Sequence, residues 1–270
     1  MSPQAPSLTT TMDKAPGPVW IIVRAVFLET IRRREFYVLL LFMGLFLLGA
    51  LISRVIGIEN PATATFLLNL GFTMAYNFAL LLTLLTVSRQ FPDELESRTL
   101  YPLLAKPISR AQYLLGKYLA SFLIGLITLV VLLVMAALPV PAMESFSIGS
   151  FFQMFALSVL GLAMVGAIAM LLSFLTPKIL NVVIVSALVL VAPRVLGLCY
   201  VSSMGLAVQP VVGFVLGLIP NFSKVDLIQH YTDGLPPIAL QDLLARAMHV
   251  AGVILVSLGI STWLIERKQL

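Results

Sequence analysis

Apolar runs of roughly twenty residues, separated by short polar stretches, dominate the chain. They predict six membrane-crossing helices, at 36–56, 62–87, 111–138, 151–175, 178–192 and 249–265. Asn60 ahead of Pro61 offers the second of these a cap and a first-turn proline. Ser109 with Gln112, and Ser150 with Gln153, have the spacing of capping boxes at the starts of the third and fourth. Thr176-Pro177 marks a stop and restart before the fifth. After Pro193-Arg194 the apolar run resumes over 195–219, which reads either as a further span or, preferably, as short helices dipping into the outer leaflet. A seventh span would carry Arg267 and Lys268 outside. Pro220 to Gly234 reads as polar loop, and Pro236-Pro237 opens the helix that becomes the last span, so the outer segment is 193–248.

Ahead of the first span, residues 1–18 are rich in Pro, Ser and Thr, lack the apolar core of a signal peptide and read as a loose tail. Over 19–35, Trp20, Val23, Phe27 and Ile31 recur at helical spacing among Arg24, Arg32, Arg33 and Arg34. That pattern predicts an amphipathic helix, lying in the membrane interface or packed on a partner in the cytoplasm.

Composition sharpens the fold class. The 270 residues are 60% hydrophobic and 11% charged, with a mean hydropathy of +1.03. A soluble domain carries about 25% charged residues, and one soluble core cannot hide this much apolar surface. Barrel strands would be about ten residues long and alternating, whereas these runs are long and continuous. The expectation is an all-α integral membrane protein.

The net charge of +5 would suggest nucleic acid in a soluble protein, but the basic residues sit at span ends and set orientation instead. With both termini inside, 13 of the 17 Lys and Arg are cytoplasmic; only Arg54, Arg194, Lys224 and Arg246 fall outside. The single cysteine, Cys199, has no disulfide partner, and His230 and His249 stand apart with no zinc spacing. No metal or cofactor site is expected, and nucleic acid is not an expected partner.

The polar segment 88–110 carries most of the chemistry. Pro92 suits a first helical turn, and Asp93, Glu94 and Glu96 follow where a helix N-terminus favours negative charge. Pro102 and Pro107 force bends, while Leu95, Leu100, Leu103 and Leu104 give the short helix an apolar side. Such an element beneath two spans is either a lever that docks on a soluble partner or a solvated loop.

In the second span Asn69, Thr73, Tyr76, Asn77 and Thr83 lie along one stripe, for helix packing or for lining a translocation path. Arg54 and Arg194 fall near the outer ends of spans one and five, to snorkel or to contact an anion. Gly161, Ala163, Gly166 and Ala167 permit close helix approach. Asp242 and Arg246 have the spacing of a surface ion pair.

The run Glu94, Glu96, Thr99, Leu103, Leu104, Pro107, Ser109, Arg110, Tyr113, Gly116 and Lys117 resembles the E-x-E-x-x-T-x-x-x-L-L-x-x-P-x-S-R-x-x-Y-x-x-G-K stretch of ABC-2 type transporter permeases. Arg98 stands where that family usually has glycine. Ile219-Pro220-Asn221-Phe222 followed by Val225-Asp226-Leu227 is similar to the proline-containing segment after the fifth span in this group, including the multicopper-enzyme-maturation permeases. With the six spans and the N-terminal helix, the resemblance covers nearly the whole chain. It implies a coupling helix whose ATPase-docking residues are Asp93, Glu94, Glu96, Arg98, Thr99, Leu103, Leu104 and Arg110. It further implies an exporter in the cell inner membrane, made of two ATPase subunits and two permeases, either identical or different, among membrane lipids.

ATP and Mg would then belong to the partner. The one Gly-Lys pair, Gly116-Lys117, is followed by Tyr118 and lacks the earlier glycine of a phosphate loop, so this chain is expected to be non-catalytic. Two other classes remain open. One is an ATPase-driven mechanotransmitting or assembly protein that passes no cargo. The other is an ion-coupled transporter, which the absence of Asp and Glu from the predicted span centres disfavours.

Overall fold

The computed structural model describes residues 18–56, 60–96, 110–138, 147–191 and 220–267, and among them every regular element is helical. The order is α1 (Pro18–Ile31), α2 (Arg34–Val55), α3 (Pro61–Glu96), α4 (Arg110–Ala137), α5 (Ile148–Ser173), α6 (Lys178–Leu190), α7 (Ile228–Thr232) and α8 (Leu240–Arg267), with a 3-10 turn at Phe222–Lys224 before α7.

Five helices, α2, α3, α4, α5 and α8, are long and apolar enough to cross a membrane. Against the expectation of six, α6 has only 13 residues, about 20 Å of helix for a hydrocarbon core of about 30 Å. The segment 195–219 and Arg194 lie outside the described residues.

Burial separates an inner set from an outer one. The crossing windows of α5, α3 and α4 are 67%, 56% and 50% buried, against 17% for α2 and 11% for α8. So α3, α4 and α5 form the core and pack on one another, while α2 and α8 lie against its flanks. Backbone groups in lipid must be paired within the segment, which is why the apolar runs become helices at all. The exposed Leu, Ile and Phe of α2 and α8 then need no protein cover.

Local chemistry sets the ends. Asn60 Oδ1 accepts from Ala62 N at 3.0 Å, capping α3 as expected. The expected second helix opening at Pro92 does not occur: α3 runs through Pro92 to Glu96. Proline removes one ladder bond, and the preceding turn is held from outside by α4. There Gln90 Nε2 donates to Ser121 Oγ at 2.7 Å.

Ser150 and Gln153 do not cap α5 either. Ser147 is the cap, which frees the other two to bind the segment before α8. Ser150 Oγ donates to Leu235 O at 2.9 Å, and Gln153 exchanges two bonds with the backbone of Ile238, at 2.9 and 2.7 Å. Gln153→Leu is expected to cost roughly 1–3 kcal/mol for these two bonds. It should appear as a lower melting temperature and new protease cleavage within 235–239, and an unchanged digest would contradict the anchoring role.

Asp242 and Arg246 form no ion pair among the described residues. Arg246 Nη1 instead donates to Lys224 O at 2.9 Å. Pro220 to Gly234 is not a free loop. Phe222, Val225, Leu227, Ile228 and Thr232 are buried, and Tyr231 stacks on Phe72 of α3 with centroids 5.9 Å apart. Gly234, at φ 70°, takes the left-handed turn that ends α7. Pro236-Pro237 precedes α8 without starting it.

These contacts fix which ends share a face. Arg89 of α3 and Lys178 of α6 line one opening with Arg33, and Arg110 at the start of α4 reaches the end of α8. The opposite face joins the start of α5 to the segment before α8. The chain therefore changes faces between Lys178 and Leu235.

Candidate functional site

At the basic face α1 buries Val23, Val26 and Thr30 and packs on α4, while Trp20 and Leu28 stay exposed. Glu29 pairs with Arg33 one turn on. Arg33, Arg89 and Lys178 then rim an opening of about 440 Å³ between α3 and α6, with apolar walls from Leu85, Ile179 and Val182.

Beside it, Lys117 is 3% exposed. Its ammonium donates to Gln90 O at 3.3 Å and lies 5.0 Å from the Tyr113 ring centroid. Ser121 Oγ in turn donates to Lys117 O at 3.1 Å. Lys117, Gln90 and Ser121 thus clasp the end of α3 to α4. Arg110 Nη1 donates to Ile265 O at 2.9 Å, a cation on the carbonyl end of α8. Its guanidinium therefore braces two helices, a contact the sequence did not suggest.

Of the other predicted docking residues, Asp93, Glu94 and Glu96 fall on the last turn of α3, where only the backbone is described. Arg98, Thr99, Leu103 and Leu104 lie outside the described residues, as do the bends at Pro102 and Pro107. For Arg54 in α2, too, only the backbone is described.

The polar stripe of α3 divides. Asn69 Nδ2 donates to Thr232 Oγ1 at 3.0 Å, tying α3 to α7, and Thr73 Oγ1 donates to Asn69 Oδ1 at 3.3 Å. Thr83 is fully buried and bonds its own backbone at Ala79 O, 2.8 Å away. It fills the place a side chain at Gly125 would take. Tyr76 Oη similarly occupies the space left by Gly161, is buried, and has no hydrogen-bond partner among the described residues. Tyr118 Oη donates to Ala163 O at 3.1 Å. The glycine and alanine positions of α5 thus take the packing role expected of them.

Tyr76 and Asn77 also line a cavity of about 310 Å³ with Phe222, Ser223 and Asp226, closed on one side by Val189 and Leu190 of α6. Asp226 Oδ1 accepts from Ile228 N at 3.1 Å. Tyr76 lies midway between Ala62 and Gln90, the ends of the apolar stretch of α3. Asp226, an exposed residue just after the turn at Phe222–Lys224, therefore stands at the cavity, level with the middle of α3. The predicted span centres still hold no Asp or Glu; Asp226 comes from the stretch read as polar loop. The cue was the apolar series Phe222, Val225, Leu227 and Ile228 inside a polar stretch, a pattern of burial rather than of loop.

Two further buried groups escaped the sequence. Asn181 Nδ2 donates to Ala169 O at 2.9 Å, fastening α6 to α5. Tyr231 has its hydroxyl pKa raised from the ordinary value by burial. Among the described residues no three His, Cys, Asp or Glu converge as a metal site.

No curated protein matches the chain. The family described as ABC-2 family transporter protein matches residues 54–265, a stretch that takes in α3 through α8 with the clasp and the cavity. The chain, a multi-helix membrane protein, therefore belongs to the ABC-2 transporter family and is a permease of that type.

Proposed function

We propose that the chain is the membrane subunit of an ATP-driven exporter whose energy comes from separate ATPase subunits. Family membership carries this reading. One structural observation gives it a mechanism: α3 runs unbroken from the cavity at Tyr76 to the acidic turn at Glu96. Because the clasp ties its end to α4, a force applied near Glu94 and Glu96 would move α3 and α4 together.

In this reading the basic face is cytoplasmic, as the positive charges require. Both termini lie inside, α1 rests at the membrane interface, and two permeases work with two ATPases in the cell inner membrane. ATP and Mg are held by the partner, and this chain catalyses no bond chemistry.

The charge-reversed double variant Glu94→Lys with Glu96→Lys tests the docking. It should lose at least tenfold of the ATPase that co-purifies with the permease, while membrane insertion is retained. Undiminished recruitment would remove these two residues from the interface.

An ion-coupled mechanism gains one observation, the carboxylate of Asp226 at middle depth. Cargo movement that persists without ATP under an ion gradient would favour it over the ATP-driven reading.

A further inference from the structure

Three cations from three parts of the chain meet at the opening on the basic face. They are Arg33 in the link from α1 to α2, Arg89 on α3 and Lys178 at the start of α6. The other described residues lining it are apolar, Leu85 from α3 and Ile179, Val182 and Val183 from α6. Arg33 and Arg89 also line a smaller opening of about 70 Å³ toward α4, where Glu29 and Lys117 join them. Glu29 pairs with Arg33 and is the one acid among the described residues lining either opening. Around the two openings four cations therefore face a single carboxylate.

We propose that the larger opening binds an anionic phospholipid, its phosphate among Arg33, Arg89 and Lys178 and one acyl chain along α6. The site goes beyond the exporter reading and rests only on these helices standing in a bilayer. Arginine offers phosphate a planar fork of donors, and lysine a point charge. The first turn of α6 adds the positive end of its helix to the same place. Lys178 and Ile179 line the opening, and Pro177 before them supplies no side-chain cap.

The apolar walls favour a lipid over a soluble anion. On both helices the cation stands at the basic face and the apolar residues lie deeper. Leu85 is one turn below Arg89 on α3, and Ile179, Val182 and Val183 form a stripe that descends α6 from Lys178. Val183 lies about 7.5 Å along the helix from Lys178. Ile179 is 74% exposed and Val183 57%, open to a chain lying beside them. Charge at the surface with an apolar stripe beneath it is the order of head and tail in a phospholipid leaflet. A soluble phosphate would use the cations alone and leave the stripe uncovered. A lone cation at a span end snorkels to water; here three converge on one opening.

The test is equilibrium binding to the purified full-length permease in dodecyl maltoside. The probe is a fluorescent phosphatidic acid, read by anisotropy and displaced by unlabelled phosphatidic acid, phosphatidylcholine or glycerol 3-phosphate. Saturable binding is expected, displaced at least about tenfold more effectively by phosphatidic acid than by either competitor. Arg89→Gln with Lys178→Gln should weaken it at least about tenfold. Arg24→Gln is the control, an exposed cation of α1 that lines neither opening, and should leave binding within about twofold. Arg89 is half-buried, so should the double variant fail to fold, Lys178→Gln decides alone. Lys178 is exposed, and its loss should weaken binding about threefold. Binding that these variants weaken no more than Arg24→Gln does, or that phosphatidylcholine displaces equally well, overturns the proposal. Equal displacement by glycerol 3-phosphate makes the occupant a soluble phosphate and overturns the lipid assignment. No ATPase is present in the assay, so this result and that of the docking experiment stand or fall separately.

Discussion

Gly125→Leu is expected to abolish folded permease. A Cβ at Gly125 would fall on Thr83 Oγ1 and come within 2.8 Å of Leu162 Cδ2. Thr83 has no room to withdraw. It is fully buried, bonded to Ala79 O, and its methyl lies near Gly166 of α5. Three core helices meet at this point, so the added atoms cannot be accommodated by moving one side chain. Overpacking of a tight core costs typically 1–3 kcal/mol, and Leu adds three carbons beyond the Cβ. Between helices in lipid, close packing is itself a main source of association, so the loss is not offset by solvent. The expected readout is disappearance of the monodisperse peak in fluorescence-detected size exclusion, with Gly125→Ala intermediate. Gly252→Leu is the control, because nothing lies within 4 Å of a Cβ there. A normal peak for Gly125→Leu would mean that α3, α4 and α5 do not pack as described.

Lys117→Met is expected to be the next most damaging of these changes. The ammonium is buried, and its bond to Gln90 O joins α3 to α4 just before the acidic turn. A hydrogen bond from a charged group contributes about 1.5–3 kcal/mol. Met matches the length of the stem and so isolates the loss of charge from the loss of packing. A stability loss of about 2 kcal/mol is expected, read as an earlier thermal transition in detergent. Ser121→Ala should cost less, since it removes only neutral bonds, the one from Gln90 and the one to Lys117 O. Coincident melting curves for Lys117→Met and the parent would show that the clasp contributes nothing.

The clasp bears on mechanism as well as on stability. Sequence pointed to a short hinged helix starting at Pro92; the structure has a rod that reaches Glu96 in one piece. A rod transmits displacement along its axis, whereas a hinged helix would absorb it. Lys117 stood in the family-like run from Glu94 as a residue type at an offset, and nothing in the sequence tied it to Gln90. The link exists because α4 runs beside α3, bringing together residues far apart in the chain.

Hydropathy alone determined the membrane class, the five long apolar helices and their approximate positions. Each depends on local composition and on the need to pair the backbone inside lipid. The glycine and alanine positions of α5 were legible for the same local reason, since small side chains permit close approach wherever the partner lies. Spacing was less reliable where two local solutions compete, as at Ser150 and Gln153, which read as a cap and became an anchor for Leu235 and Ile238. Only the tertiary structure decided that Asp226 stands beside Tyr76 and Asn77, that Arg110 braces α8, and that Arg246 bonds Lys224 rather than Asp242. Those pairings join residues far apart in sequence or compete with a nearer candidate. Their outcome is set by how whole helices stack, which no local pattern of residues encodes.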